Sequence, residues 1–113
     1  MKNNKSPSLN LIKHITYHDN GAKCEEGYYK GGKKHGKWTF WYKNGQKELE
    51  GNYIAGKEDG LRTHWFDDGS IHLEATFKDG KRDGLWTYWD SDGQKVSEVT
   101  YKNGEDREVK QYF

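Results

Sequence analysis

The sequence predicts an all-β protein: an elongated, twisted antiparallel β-meander of stacked hairpins, about nine strands in 24-residue repeats. Three observations predict it. Trp41, Trp65 and Trp89 recur at a fixed spacing, carrying with them Gly45, Gly69 and Gly93 and then Tyr53, Phe77 and Tyr101. Fourteen glycines stand against one proline, which signals many tight turns. Between those turns lie short runs rich in Thr, Trp, Tyr and Phe, the residues that suit a pleated, half-buried surface. An array of this kind buries its core by stacking copies, so no segment is read alone.

Residues 1–11 read as a flexible lead-in, with the repeat domain over 12–113. Ile12 to Tyr17 forms an extended segment, Asp19-Asn20-Gly21 turns it, and Ala22 to Tyr29 returns to Gly31-Gly32. This incomplete first copy, 12–35, is followed by full copies at 36–59, 60–83 and 84–107 and by a terminal half copy at 108–113. Each full copy repeats the grammar: Lys43-Asn44-Gly45, Asp67-Asp68-Gly69 and Ser91-Asp92-Gly93 close the first turns, where glycine supplies the positive φ a hairpin needs. The second turns, Gly56-Lys57-Glu58-Asp59-Gly60 and its equivalents, read as exposed reversals longer than two residues. No stretch competes as a helix.

At 113 residues there is room for one domain, and 31% hydrophobic residues fall short of a conventional layered core. Five Trp, eight Tyr and four Phe make up the difference through large areas per residue. The formal charge of +1 gives no general attraction to nucleic acid. It is unevenly spread: residues 1–35 hold seven lysines against three acids, and 84–107 hold three bases against five acids. A single cysteine, Cys24, excludes an internal disulfide, and no apolar run suits a signal peptide or membrane span. These features predict a cytoplasmic protein.

Superposing the copies turns positions into columns. Tyr17, Trp41, Trp65, Trp89 and Phe113 form an aromatic anchor; Tyr29, Tyr53, Phe77 and Tyr101 form a second; Gly27, Gly51, Ala75 and Val99 form a small or branched third. Together these three predict the core ladder. Glu26, Glu50, Glu74 and Glu98 form a fourth column, expected to accept turn amides or pair with Lys33, Lys57 and Lys81. A two-residue loop would set Trp41 across from Glu48, and a three-residue loop with a bulge would set it across from Lys47. One residue of slip exchanges the faces.

The columns alternating with the anchor stay large but vary, and Trp38, Phe40, Tyr42, Arg62, His64, Phe66, Trp86 and Tyr88 come from them. Aromatics gathered with Arg and His are what binding surfaces enrich. A second, wet packing surface is the alternative reading of this face; these eight residues form the expected partner-binding set. No catalytic, metal or cofactor site is expected. His14, His18, His35, His64 and His72 lack ligand spacing with Cys24, Asp90-Ser91-Asp92-Gly93 lacks the later ligands of a calcium loop, and Gly31-Gly32-Lys33-Lys34 lacks a phosphate loop's ending and helix.

Gly36-Lys37-Trp38, Trp41-Tyr42, Asn44-Gly45, Glu50-Gly51, Tyr53 and Gly56-Lys57, with Gly84-Leu85-Trp86 to Gly104, resemble the bacterial variant of the MORN repeat found in the YwqK-like antitoxin family. The likeness spans residues 12–113 and departs at Arg62, Asp90 and Glu108. It implies a non-enzymatic sheet of stacked hairpins and a protein partner, a toxin covered by its antitoxin or immunity protein. The wider class implies the alternative of a scaffold or an anionic-phospholipid module, with Lys23, Lys30, Lys33 and Lys34 meeting headgroups. The expected state is a monomer or an edge-paired dimer.

Overall fold

The computed structural model describes residues 10–112; Phe113 and the first nine residues of the expected lead-in lie outside them. In chain order the strands are β1 (Leu11–Tyr17), β2 (Lys23–Lys30), β3 (Lys33–Trp41), β4 (Lys47–Ile54), β5 (Lys57–Glu58), β6 (Gly60–Trp65), β7 (Ile71–Lys78), β8 (Lys81–Arg82), β9 (Gly84–Trp89), β10 (Lys95–Lys102) and β11 (Glu105–Gln111). All belong to one antiparallel sheet with the path β1-β2-β3-β4-β6-β7-β9-β10-β11. The expected nine-strand meander is this path. Two-residue strands β5 and β8 add to it, pairing with β4 and β7.

The two turn types sit at opposite ends of the hairpins. At the first, Gly45 N–H donates to the Tyr42 carbonyl at 3.1 Å and Tyr42 N–H to the Gln46 carbonyl at 2.8 Å, a three-residue loop whose last residue has φ +89°. Trp41 therefore lies across from Lys47. At the second, Ile54 pairs with Lys57 across Ala55 (φ 51°) and Gly56 (φ 86°), a two-residue turn with both φ positive. The long exposed reversal expected here is replaced by this tight turn, because Lys57 and Glu58 return to the sheet as β5. Gly56 N–H also donates to the Lys34 carbonyl at 3.0 Å, a contact repeated from Gly80 to Glu58 and from Gly104 to Arg82. Stacked turns thus join successive copies.

A bulge decides the faces. Phe40 pairs with Leu49 but Trp41 with Lys47, so Glu48 is an extra residue and the register shifts by one. Beyond it, Trp38 lies across from Gly51 and Gly36 from Tyr53. The small column and the Tyr/Phe column therefore share a face with Trp38 and Trp86, and not with the Trp41 anchor. The expected core ladder is corrected here: its anchor belongs to the opposite face. There Lys23 sits 5.3 Å from the Trp41 ring centroid and Lys47 5.6 Å from that of Trp65.

The bulge also brings Lys47 and Glu50 to one side of β4, where they pair at 3.1 Å; Lys23 with Glu26 and Lys95 with Glu98 do the same, each at 3.1 Å. Three of the four glutamates of the column thus pair with these lysines rather than with Lys33, Lys57 and Lys81, which follow the turn at the far end of the hairpin; beside Glu74 the place of the lysine is taken by Ile71. Thr39 adds a hydrogen bond to Glu50 at 3.0 Å. A polar, ion-paired face thus backs an aromatic one.

Candidate interaction surface

With one sheet and no second layer over it among the described residues, the aromatic face covers itself with its own rings. Trp38 is 1% exposed. Gly27 makes room for it: a Cβ there would stand 2.1 Å from the indole. His14 stacks on the ring at 5.2 Å, Tyr29 meets it edge-on at 5.0 Å, and Lys34 lies over it at 4.9 Å. Its indole N–H donates to the Tyr28 carbonyl at 3.0 Å, so the polar handle is satisfied. Trp86, 6% exposed, repeats the design with Phe77, Tyr101 and Arg82, and donates to the Thr76 carbonyl at 2.9 Å. Ala75, fully buried, completes that cluster.

Of the eight residues expected to meet a partner, six share this face. Trp38 and Trp86 are its buried supports, which corrects their expected role as presented contacts: they lie flat over the small column, with little surface left in contact with solvent. Arg62 takes the equivalent place in the middle copy and pairs with Glu58 at 3.3 Å. Phe40, His64 and Tyr88 are half-buried and fall in one line. Phe40 pairs with Leu49, Leu49 with His64, His64 with Leu73 and Leu73 with Tyr88, so five side chains from β3, β4, β6, β7 and β9 form a row across the array. Tyr42 and Phe66 stand apart at the loop ends. The Tyr42 hydroxyl donates to the Trp65 carbonyl at 2.6 Å, and Phe66 stacks on His72 at 4.3 Å.

Electrostatics follow from partial burial. Desolvation, with Arg62 and His72 nearby, lowers the pKa of His64 to about 4, so the row is uncharged at that point near neutral pH. Burial pushes the Tyr53 and Tyr88 hydroxyls up. Charges on the face carry both signs: Lys34, Arg62 and Arg82 against Glu25, Glu48 and Glu58. A cavity of about 230 Å³ opens between the copies, lined by Lys34, Phe40, Glu48, Leu49, Tyr53 and Arg62. Sequence reasoning missed Lys34, Leu49, Tyr53 and Glu58 as parts of this surface. A signal was present, since the column Lys34, Glu58, Arg82 changes sign in the same copy where Trp38 and Trp86 give way to Arg62.

Four lysines expected to meet lipid headgroups do not form one patch. Lys23 is paired on the polar face, whereas Lys34 lies among the rings of the aromatic face. No group of three or more His, Cys, Asp or Glu side chains suited to a metal ion occurs among the described residues.

Residues 34–55, 58–79 and 82–103 match the MORN repeat variant, three times in succession. Each match runs from the second residue after one two-residue turn to the first residue of the following turn, ending at Ala55, Asp79 and Asn103, so each describes one hairpin of the stack. No curated protein matches the chain. The matches cover more than half of the sequence and coincide with the observed hairpins, and the chain belongs to the MORN repeat variant family.

Proposed function

We propose that this chain is a cytosolic, non-catalytic protein-binding module that covers a protein partner with its aromatic face. Family membership supports a repeat module of a kind often used for contact with proteins or membranes. The observation that carries the choice of a protein is the row Phe40, Leu49, His64, Leu73 and Tyr88: half-buried, in register, flanked on the same face by Trp38 and Trp86, and set among charges of both signs. Interfaces with proteins have an apolar, aromatic centre with a polar rim. An anionic membrane would favour a concentration of cations instead.

The finer reading is an antitoxin or immunity protein, in which the covered partner is a toxin. It rests on the resemblance of the Gly36 to Lys57 motif. The test is retention of one stoichiometric protein from the source cell's lysate, comparing the native chain with a Phe40→Gln/Tyr88→Gln variant whose folding is checked by circular dichroism. Retention by the native chain at low and moderate salt, with loss in the variant, is expected, followed by relief of growth arrest when the captured protein is co-expressed with the native chain. Equal retention by the folded variant would remove the row from the interface. Binding to anionic vesicles that disappears at moderate salt would favour the lipid alternative.

A further inference from the structure

Three equivalent pairs along the aromatic face are built on one plan with one exception. In the first copy Lys34 lies 4.9 Å over Trp38, and in the third Arg82 lies 5.0 Å over Trp86 and donates to the Tyr101 hydroxyl at 3.1 Å. In the middle copy the cation moves to the position of the indole: Arg62 pairs with Glu58 at 3.3 Å and lies 5.6 Å from the Phe77 ring centroid. A guanidinium on a slim stem covers less of the neighbouring strand than an indole. The space left is the cavity of about 230 Å³, with Phe40, Leu49 and Tyr53 as walls.

Three groups at this place are incompletely partnered. The Lys34 ammonium sits 5.1 Å from the Tyr53 ring centroid and 5.8 Å from that of Phe40, with no carboxylate within 4 Å among the described residues. Arg62 Nε is buried without an acceptor, and Glu58 Oε2, 3.3 Å from the Arg62 guanidinium, has that ion pair but no hydrogen bond. Buried polar atoms in native proteins almost always find partners, and Arg62 Nε has none; with the half-buried Lys34 lining the same mixed polar and apolar cavity and meeting no carboxylate, the site leaves a place for an anion.

We propose that the cavity receives one carboxylate side chain, a glutamate or aspartate of the protein that docks on this face, with its oxygens on Lys34 and its methylenes against Phe40 and Leu49. The proposal deepens the protein-binding reading and rests on it. A carboxylate fits better than a phosphate, because Glu48 at the rim and Glu58 behind Arg62 repel a second negative charge while the apolar walls favour a carbon stem. The altered middle copy thereby sets where along a uniform array the partner is registered.

The test is an NMR titration of the full chain with an acetylated, amidated hexapeptide carrying one central glutamate flanked by phenylalanine and leucine. Saturable shifts are expected at Lys34, Phe40 and Tyr53, with the glutamine counterpart at least tenfold weaker and Lys34→Met at least tenfold weaker again than the native chain. A Glu58→Arg/Arg62→Trp variant copies the third copy, closes the cavity and is expected to fold yet lose the peptide. Equal affinity for glutamate and glutamine, undiminished binding by that variant, or tighter saturation of the same residues by inorganic phosphate would overturn the proposal. If the peptide gives no shifts while partner capture remains sensitive to Phe40 and Tyr88, this inference alone fails. If capture is insensitive as well, the protein-binding reading fails with it.

Discussion

Gly27 and Gly51 occupy one column, yet they answer to different neighbours. A Cβ at Gly27 would stand 2.1 Å from the Trp38 ring, whereas at Gly51 the nearest atoms are Glu58 Oε2 at 3.8 Å and Arg62 Cγ at 3.9 Å. Gly27→Ala must therefore displace an indole locked between His14 and Tyr29, and a loss of about 1–3 kcal/mol is expected from overpacking. Gly51→Ala meets ordinary contacts at the place where the next copies already carry Ala75 and Val99. It is expected to be neutral or to gain about 0.4–1 kcal/mol by restricting the unfolded chain. Urea unfolding of both variants checks the pair, and similar losses in the two would mean that the Trp38 site is not tight. His64 makes a second residue-level prediction. Its folded pKa of about 4 lies below the ordinary 6.5, so the unfolded chain takes up the proton first. Stability from this group is complete above about pH 6.5 and is lost as pH falls toward 4. With the ring half in contact with water the loss is about 1 kcal/mol rather than the full equivalent of the shift. A His64→Phe variant, copying Phe40, is expected to flatten this part of the pH–stability curve; an unchanged slope would assign it to other groups.

At the level of the element, the hairpins were legible in the sequence and their faces were not. The repeat of Asn-Gly and Asp-Gly showed where strands turn, because those residues accept the positive φ of tight loops most readily, although Ala55 takes it too. What the sequence did not decide was the bulge, one of the two registers it left open. It falls at Cys24, Glu48, His72 and Val96, one column of four unlike residues. A bulged residue faces no fixed neighbour across the ladder, so the column tolerates variation, and that variation was the readable trace. Leaving it undecided let the Trp41 column be assigned to the core and the Trp38 column to the outside. The three-residue loops hold another element-level asymmetry. Asn20 and Asn44 donate side-chain hydrogen bonds to the Lys43 and Asp67 carbonyls of the next copy at 2.8 and 2.7 Å, but Asp68, ionised, has no donor for the corresponding step. Asp68→Asn keeps an acceptor for Ser70 N–H and adds the missing donor. A gain of about 0.5–1.5 kcal/mol is expected in urea unfolding, and no gain would mean that the third copy does not approach as closely at this loop.

Across the whole molecule, the proposed function has a single-layer array use one set of aromatic side chains for cohesion and for contact. The division of labour follows position. Trp38 and Trp86 lie over the small column and are removed from water by their neighbours, while the row from Phe40 to Tyr88 stays half open. The partner-binding set expected from the sequence mixed these two kinds because a column shows residue type and variation but not depth. Six of its eight members do share one face. The sign change at Glu58 and Arg62 was visible as a departure from the repeat, but its consequence, a cavity beside an unpaired lysine, depended on which side chains the bulge had brought to that face.

Equilibrium urea unfolding of Trp38→Ala and Trp41→Ala, measured side by side, tests most directly whether the face bearing Trp38 is the core. Trp38 is buried with its N–H satisfied, so its loss is expected to cost about 3–5 kcal/mol. Trp41, half-buried on the polar face beneath Lys23, is expected to cost no more than about half as much. If Trp41→Ala instead proves the costlier change, the anchor column is the core after all, and the assignment of faces on which the interaction surface rests is wrong.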